Sequence, residues 1–440
     1  MEYERYQKFR QETHQMLGKA KDATFELMDS VLKDTATHMM TTRNASCLAE
    51  FSLSPLFRRK WSSTYEALED SRPNRNKLMK RYIQEMPSLE YVLLGIDHTA
   101  WGRRGAKTLK DRTYEHQASS NNSVTIGQGY STIAWLPEKQ GSWALPLRHE
   151  RITSYEKPIS KACWQLKQVC KQIEQKVLVV LDSEYGNGSW VNQTGEIPVS
   201  KLMRIRSNCC LWSKPKSYSG FGRPKKHDQK FKVNDSTTWW SANEIVEVND
   251  PKLGKLRISQ WKDLHFRSSS SHDMSLIQVE RIKLRKSGKK HRSLWLVWVG
   301  EQFLELKDIW TQYARRFGVD HWYRFAKQRL HWTLPSLSTA KQCERWSDLM
   351  PLMTWQLWLA KDLVEEHHLP WQSRMKSLTP GRVAQSLFSL LAVIGTPATS
   401  PKTRGKSPGW KQGEKRRKKT TYPIAKKSYS RAKKTENKVA

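Results

Sequence analysis

Two apolar runs of this sequence each end on an aspartate. YVLLGID ends at Asp97 and KVLVVLD ends at Asp182, and both runs are rich in leucine and β-branched residues. Short continuous runs of this kind are typical of strands that are covered on both faces. In open α/β sheets the carboxyl ends of such strands form the edge at which ligands bind. The sequence therefore predicts an α/β fold that presents two carboxylates at one sheet edge, provided that the two strands are neighbours.

The segments between the two aspartates complete the pattern of a mixed sheet. SVTIGQGYSTIAWL and SWALPLRHERI predict two further strands, and helical spacing over 157–175 predicts a helix before the second aspartate strand. Three strands, a helix and a strand are the layout of a mixed sheet flanked by helices. The predicted segments are a helical N-terminal domain (1–87), the first part of the sheet domain (88–189), a mostly β insertion (190–304), a helical second part (305–398) and a basic disordered tail (399–440).

The charge of the chain predicts a polyanionic partner. Its 440 residues carry a formal net charge of +35, far beyond what solubility requires. Residues 401–440 hold fifteen Lys and Arg against two Glu, so +22 of the total lies outside the tail. A cationic body favours nucleic acid over a membrane surface, and no apolar run approaches the ~20 residues of a bilayer crossing. The tail itself has two interpretations, a DNA clamp and a disordered solubilising end.

A third acidic residue, Asp320, lies in a segment with helical spacing. Tyr313, Arg316, Asp320, Arg324 and Lys327 follow one another at intervals of three, four, four and three residues, which predicts one stripe on a helix. Three cations beside one acid suit phosphate oxygens better than pairing within the helix. A solvated face with i,i+4 salt bridges is the alternative. Gly318 weakens this helix, and a break there would leave the first two stripe residues on a separate turn.

These three distant acids form one site only if the fold gathers them. Carboxylates bind hard divalent cations, and two such ions ~3.5–4 Å apart can activate a nucleophile and stabilise the leaving oxygen of a phosphodiester. A lone aspartate after a strand is often only a turn former, but two in one sheet of a basic chain favour the metal site. Glu184 and Glu305 are the alternative carboxylates in this part of the chain.

The third segment also carries a resemblance to a known family. Tyr313, Arg316, Asp320 and Lys327 fall without a gap on the pattern Y-x-x-R-x-x-x-E-x-x-x-x-x-x-K. This pattern is the signature of a large group of bacterial insertion-sequence transposases of the DDE class. The two strand-borne aspartates, the long insertion after the second strand and the closing IGTPATSPKTRGKSPGW also resemble these transposases, particularly the cyanobacterial ones. The resemblance covers roughly residues 88–415.

The resemblance implies a ribonuclease H-like fold and a role for each motif residue. The implied catalytic and metal-binding residues are Asp97, Asp182 and Asp320, and the implied cofactor is a pair of Mg²⁺ ions, for which Mn²⁺ can substitute. Tyr313, Arg316 and Lys327 would hold the DNA backbone near the cleaved phosphate, and Arg324 of the same stripe is a fourth predicted DNA contact.

Asp320 departs from the family pattern, which has glutamate at this position. Aspartate is one methylene shorter, so its oxygens lie ~1.5 Å back. A misplacement of ~1 Å in a catalytic site can cost ~10²-fold in rate. The sequence therefore leaves open an active enzyme with three aspartates, a slowed enzyme and a decayed copy that only binds DNA.

The function implied by the resemblance is that of a DNA transposase. Such an enzyme cuts the ends of its element by Mg²⁺-assisted hydrolysis and joins the 3′-hydroxyls to target DNA, as a homodimer on paired ends in the bacterial cytoplasm, at the nucleoid. The alternatives are a decayed DNA-binding relative and a ribonuclease H-like metal nuclease without strand transfer. The N-terminal helical domain is the candidate for end recognition. Five tryptophans of the insertion are expected mainly in its core, although one could stack on a flipped base; they are Trp239, Trp240, Trp261, Trp295 and Trp298.

Overall fold

The computed structural model describes residues 1–37, 45–116, 124–139, 141–215, 222–283, 291–402, 413–415 and 419–427. The helices are α1 (Glu2–Gln15), α2 (Lys21–Thr37), α3 (Ser62–Asp70), α4 (Arg75–Gln84), α5 (Pro158–Cys170), α6 (Gly188–Gln193), α7 (Leu306–Ala314), α8 (Phe317–Gln328), α9 (Ala340–Ala360) and α10 (Pro380–Ile394). The strands are β1 (Tyr91–Gly102), β2 (Thr113–His116), β3 (Val124–Trp135), β4 (Leu145–Ile152), β5 (Lys176–Leu181), β6 (Ser200–Arg204), β7 (Cys210–Ser213), β8 (Lys230–Lys232), β9 (Glu244–Asp250), β10 (Gly254–Phe266), β11 (Ser269–Arg281) and β12 (Leu294–Val299).

The strands of the described residues form one mixed sheet in the order β2-β3-β1-β5-β6-β12-β11-β10-β7-β8, with β4 paired to β3 and β9 paired to β10. At its centre β1 is antiparallel to β3 and parallel to β5, and β5 is parallel to β6. This order is consistent with the ribonuclease H-like fold that the resemblance implies. The prediction of an α/β protein with a mixed sheet flanked by helices is confirmed.

Helices cover both faces of the central strands. Successive side chains of a strand point to opposite faces. On β3 the Ser131 hydroxyl donates to Gln165 Oε1 of α5 at 2.7 Å, whereas the Thr132 hydroxyl accepts from Tyr323 of α8 at 2.8 Å. The two helices therefore lie on opposite faces, which explains why β1 and β5 are continuous apolar runs and why residues 177–181 are all buried.

The boundary of the β insertion differs from the expected one. The sequence assigns KLMRIRS to the insertion, but Ser200–Arg204 form β6, which pairs with β5 in the central sheet. The sequence predicts a strand here but not its central position, because Lys201 looks like a surface residue, whereas it is 3% exposed and its ammonium donates to Thr194 O at 3.0 Å. The insertion begins after β6 and extends the sheet instead of interrupting it. The short strand β2 was not predicted, because only two of its four residues are buried.

Four tryptophans of the insertion form an aromatic cluster around Phe231, whereas Trp298 packs on Phe303. The Phe231 ring lies 5.8 Å from Trp239, 5.3 Å from Trp261 and 6.2 Å from Trp295, measured between centroids. Trp295 and Trp298 are only 6% and 1% exposed. The expectation that these rings are mainly core residues is confirmed, and those two rings offer no free face to a base.

The N-terminal helices share a core with the C-terminal ones. Helix α2 packs on α10, and α1 and α3 pack on α9. The buried Arg10 guanidinium donates to both Asp29 oxygens at 2.9 Å, to Gln356 Oε1 at 2.6 Å and to Gly395 O at 3.0 Å. This network joins α1 and α2 to residues more than 300 positions later. The helical segment 1–87 therefore packs as part of the body.

Part of the basic tail is bound to the body, contrary to the expectation of a wholly disordered tail. Backbone N–H groups of Tyr422 and Ala425 donate to the carbonyls of Lys107 and Arg112 at 2.9 and 2.7 Å. The Lys427 ammonium lies 2.8 Å from the buried Glu115 carboxylate. The tail has too few apolar residues to fold alone, and these contacts with a buried acid and two backbone carbonyls of the body hold it in place. Residues 428–440 lie outside the described part of the chain.

In the described part of the chain, no helix combines the length and the apolar character that spanning a membrane requires.

A buried histidine makes the stability of the fold dependent on pH. His149 packs between Trp332 and Trp322, with ring centroids 4.6 and 5.1 Å away, and its Nδ1 accepts from the Thr132 hydroxyl at 2.8 Å. Burial, reinforced by Arg75 and Lys327, lowers its pKa to about 3. Below pH ~6.5 the unfolded chain binds a proton that the folded chain refuses, so stability falls as the pH falls through that value.

Between pH 7.5 and pH 5.5, the unfolding free energy of wild type should fall by about 1.4 kcal/mol more than the unfolding free energy of His149→Gln. Urea unfolding at both pH values measures it, and the difference between the two proteins cancels other titrating groups. Equal losses in wild type and variant would contradict the assignment.

Candidate active site

Asp97 and Asp182 lie at neighbouring carboxyl ends of parallel strands. Ile96 of β1 pairs with Leu181 of β5, and each aspartate is the next residue along its strand direction. The His98 N–H donates to Asp97 Oδ1 at 2.7 Å, and the Glu184 N–H donates to Asp182 Oδ1 at 3.0 Å. Each backbone contact leaves the other carboxylate oxygen for further partners. The strand pattern predicted an aspartate at the end of each strand, and the pairing of β1 with β5 supplies the condition for them to lie side by side.

Arg316 connects Asp97 to Asp320. Its Nη1 lies 3.3 Å from Asp97 Oδ2, and its Nη2 lies 3.2 Å from Asp320 Oδ2. The Arg316 and Asp97 side chains are 10% and 12% exposed, whereas that of Asp320 is 46% exposed. One guanidinium thus bridges a buried acid of the sheet and a more exposed acid of α8.

The three carboxylates influence one another electrostatically. The pKa of Asp97 is raised to about 7, chiefly by burial and then by the nearby Asp182, with a smaller upward contribution from Asp320, while Arg316 and His98 oppose the rise. Burial disfavours the Arg316 cation, but Asp320 and Asp97 outweigh it and raise the pKa of the guanidinium. Like charges gathered in a poorly solvated place require a cation nearby. In the present arrangement that cation is Arg316.

Glycines allow α8 to approach the sheet closely. A Cβ added to Gly95 of β1 would lie 2.7 Å from Val319 Cγ2 of α8, closer than real side chains come. A Cβ added to Gly318 of α8 would lie 3.3 Å from Leu136 and 3.4 Å from the Trp143 carbonyl. Asp320 stands two residues after Gly318, so this close packing carries its short side chain toward the aspartates of the sheet.

The predicted stripe is divided between two helices. Helix α7 ends at Ala314 and α8 begins at Phe317, with i→i−3 hydrogen bonds at Arg316 and Val319 across the turn. The break therefore comes two residues before Gly318. Arg316 points inward from this turn.

Tyr313 does not fit its predicted role as a direct DNA contact. Its side chain is 2% exposed, because the end of α7 turns it into the protein next to Arg316. Lys327 is partly buried, and its ammonium donates to Thr99 Oγ1 at 2.8 Å and lies over the Trp332 ring. Of the four predicted DNA contacts, Arg324 alone is exposed. Tyr313 and Arg316 instead lie inside the protein, where Arg316 contacts Asp97 and Asp320.

Tyr323 and His98 also lie close to Asp97, and neither was predicted from the sequence as a site residue. The buried Tyr323 hydroxyl lies 2.9 Å from the Asp97 carbonyl and 2.8 Å from the Thr132 hydroxyl, between which its single proton is shared. His98 bridges Glu184, at 3.0 Å from Nε2, and the Tyr185 hydroxyl, at 3.2 Å from Nδ1. The helical spacing of Tyr323, three residues after Asp320, was a signal for the first of these two residues. Glu184, one of the alternative carboxylates, therefore pairs with His98 although its side chain is 42% exposed.

The alternative carboxylate Glu305 lies elsewhere. It precedes α7, its side chain is 72% exposed, and it pairs with Lys307 at 2.5 Å.

The acids suit a divalent ion in chemistry, although Arg316 stands among them. Hard oxygen ligands on neighbouring strand ends are what Mg²⁺ and Mn²⁺ bind. Within the described ranges, no three His, Cys, Asp or Glu side chains are already grouped as a metal site. The residues fit such an ion if the Arg316 guanidinium gives up its contacts with the two acids.

Comparison with protein families identifies the superfamily of the chain. The family model described as DDE superfamily endonuclease matches residues 39–267, a span that contains Asp97 and Asp182 and ends before Asp320. No curated protein matches the chain. Enzymes of this superfamily act on DNA and generally use divalent metals such as Mg²⁺. Since the match covers more than half of the 440 residues, the chain belongs to the DDE superfamily endonucleases.

Proposed function

We propose that this protein is a DNA transposase that cuts the ends of its own element and joins them to target DNA. The observation that carries the proposal is the meeting of Asp97 and Asp182 at adjacent strand ends, linked through Arg316 to Asp320. The net charge of +35 supports a nucleic-acid substrate. Work on DNA implies a place at the bacterial nucleoid, and paired element ends imply a homodimer.

The proposed reaction consists of two displacements at phosphorus. In the first, water adds to the phosphorus at the element end, the bond to the 3′-oxygen breaks, and that oxygen leaves as a 3′-hydroxyl. In the second, this hydroxyl attacks a target phosphodiester, so one ester bond forms as another breaks and no external energy source is consumed. Two Mg²⁺ ions, held by Asp97, Asp182 and Asp320, would activate the attacking oxygen and stabilise the leaving one.

The chain's own residues have positioning and charge-neutralising roles in this proposal. Tyr323 and the His98 N–H fix the backbone and one oxygen of Asp97. Arg316 neutralises the acids in the resting protein and would turn to phosphate oxygens when a divalent ion takes its place. Exposed Arg324 and the Lys327 ammonium supply positive charge at the rim.

The test is incubation of the purified full-length protein with labelled linear DNA that carries the element's ends and with a target plasmid. We expect cleaved and joined products with Mg²⁺ or Mn²⁺ and neither product with EDTA, because the acids alone cannot activate water. Cleavage without joined products would favour a nuclease without strand transfer. Binding without cleavage at any metal concentration would favour the decayed DNA-binding relative, whose Arg316 bridge never opens.

A further inference from the structure

A cleft lined by three arginines lies beside Asp182. It has a volume of about 430 Å³, and its walls come from the turn after β5, the segment after β6 and the residues just before β12. The lining residues that matter here are Ser183, Arg204, Arg206, Asn208, Arg292 and Trp295. A volume of this size accommodates a ligand as large as a nucleotide.

The cleft opens at the same sheet edge as the catalytic acids. Leu181 of β5 pairs with Met203 of β6, so the next residues, Asp182 and Arg204, occupy adjacent positions at the strand ends. The turn after Asp182 also packs directly on β6, since a Cβ on Gly186 would lie 2.0 Å from the Arg204 carbonyl oxygen. A strand of nucleic acid that leaves the acids in this direction must pass over the cleft.

The lining of the cleft is positively charged, although Glu184, just outside it, interacts electrostatically with Arg206. No acidic side chain lines it. Arg204, Arg206 and Arg292 are exposed, and in the part of the chain that the structure describes none of them forms an ion pair. Arg292 Nη2 donates to Ser207 Oγ at 2.8 Å, which holds that guanidinium at the cleft wall. Three guanidinium groups around one concave surface suit phosphate oxygens, which they can bind in a bidentate manner.

The floor of the cleft excludes recognition by base stacking. Trp295 is 6% exposed, and its ring packs on Trp239 and Trp261 at centroid distances of 5.1 and 5.8 Å. A ring held in this way cannot offer a face to a base. Contacts to the backbone, which carry no sequence information, are what remain.

We propose that the cleft binds the phosphodiester backbone of the DNA strand next to the cleavage point. The inference rests on the proposed function, because it takes DNA as the substrate of the neighbouring acids. It also gives the β insertion a task, since Arg292 belongs to the insertion and Arg204 to the central sheet. The insertion thereby lengthens the DNA path from the acids.

The experiment measures binding of the full-length protein to a fluorescent DNA duplex by anisotropy, in EDTA, over a range of salt concentrations. The variants are Arg206→Ala, Arg292→Ala and the double substitution. The matched control is Arg257→Ala, which removes the same charge from the insertion at a residue that already pairs with Glu247 at 3.2 Å. A second duplex of unrelated sequence is measured in parallel.

We expect each cleft substitution to weaken binding about 10-fold and to reduce the slope of log K against log salt by about 0.9. In the double variant, the affinity losses and the slope reductions of the two single variants should add, equally on both duplexes. The control should stay close to wild type. Double-variant affinity and slope equal to those of the control would overturn the proposal, as would a loss confined to one DNA sequence.

The same proteins are then assayed for cleavage with Mg²⁺, which separates this inference from the proposed function. Reduced salt slopes in a protein that never cuts DNA would support the cleft while refuting the proposed catalysis. Normal cleavage with unchanged slopes would refute the cleft alone.

Discussion

Asp97→Asn and Asp182→Asn are each expected to reduce DNA cleavage at least ~10³-fold while leaving DNA binding intact. Both changes keep the shape of the side chain but remove the negative charge that a divalent ion requires. Loss of several kcal/mol of charge stabilisation in the transition state corresponds to a factor of this size. The measurement is single-turnover cleavage of a labelled element end with Mg²⁺, together with binding of the same DNA in EDTA.

The control for these variants is Asp273→Asn, which removes a surface carboxylate that pairs with Lys214 at 2.5 Å, in the insertion. It should cleave like wild type. Asp97→Asn should also melt no earlier than wild type, because burial already disfavours the charge of that carboxyl. Cleavage that survives Asp182→Asn would refute the assignment of the acids.

The Asp320 side chain is expected to have the right length for this fold, so that Asp320→Glu cleaves about 10²-fold more slowly than wild type and Asp320→Asn, which removes the charge, about 10³-fold more slowly. The aspartate already reaches the guanidinium that touches Asp97. Gly95 and Gly318 let α8 lie close to the sheet, so an extra methylene would carry the carboxylate ~1.5 Å too far. Cleavage rates of the three proteins at saturating Mg²⁺ measure the effect.

A second substitution tests this compensation directly. Gly95→Ala must push Val319 and α8 outward, at a cost of ~1–3 kcal/mol in stability and a loss of cleavage. Adding Asp320→Glu to Gly95→Ala should restore part of the cleavage without restoring the melting temperature. If Asp320→Glu alone cleaves DNA faster than wild type, the aspartate is a defective replacement of a glutamate, and the fold is not adapted to the shorter side chain.

The three acidic residues of the site were predictable from the sequence, because each lies in a short segment with a recognisable pattern. The runs before Asp97 and Asp182 have the composition of fully buried strands, and the pairing of β1 with β5 brings the two acids together as expected. The spacing of the third segment led to Asp320 through the family pattern. These signals are local, since each depends on a few consecutive residues.

The tertiary contacts of the site were not predictable in the same way. A turn at Arg315 and Arg316 divides the stripe and points Arg316 inward, which helical spacing alone does not reveal. KLMRIRS resembles a half-exposed strand because Lys201 is polar, yet its burial depends on a carbonyl acceptor at Thr194. With β6 assigned to the insertion, Arg204 could not be seen as the neighbour of Asp182. The binding of the tail by Glu115 likewise depends on the folded body.

Anomalous diffraction from crystals of the protein grown with Mn²⁺ tests the central claim most directly. The proposal predicts strong anomalous peaks within coordination distance of Asp97, Asp182 and Asp320, with the Arg316 guanidinium withdrawn from Asp97 and no such peak in crystals of Asp182→Asn. Arg316 still bridging Asp97 and Asp320 at saturating Mn²⁺, with manganese bound only elsewhere, would contradict it.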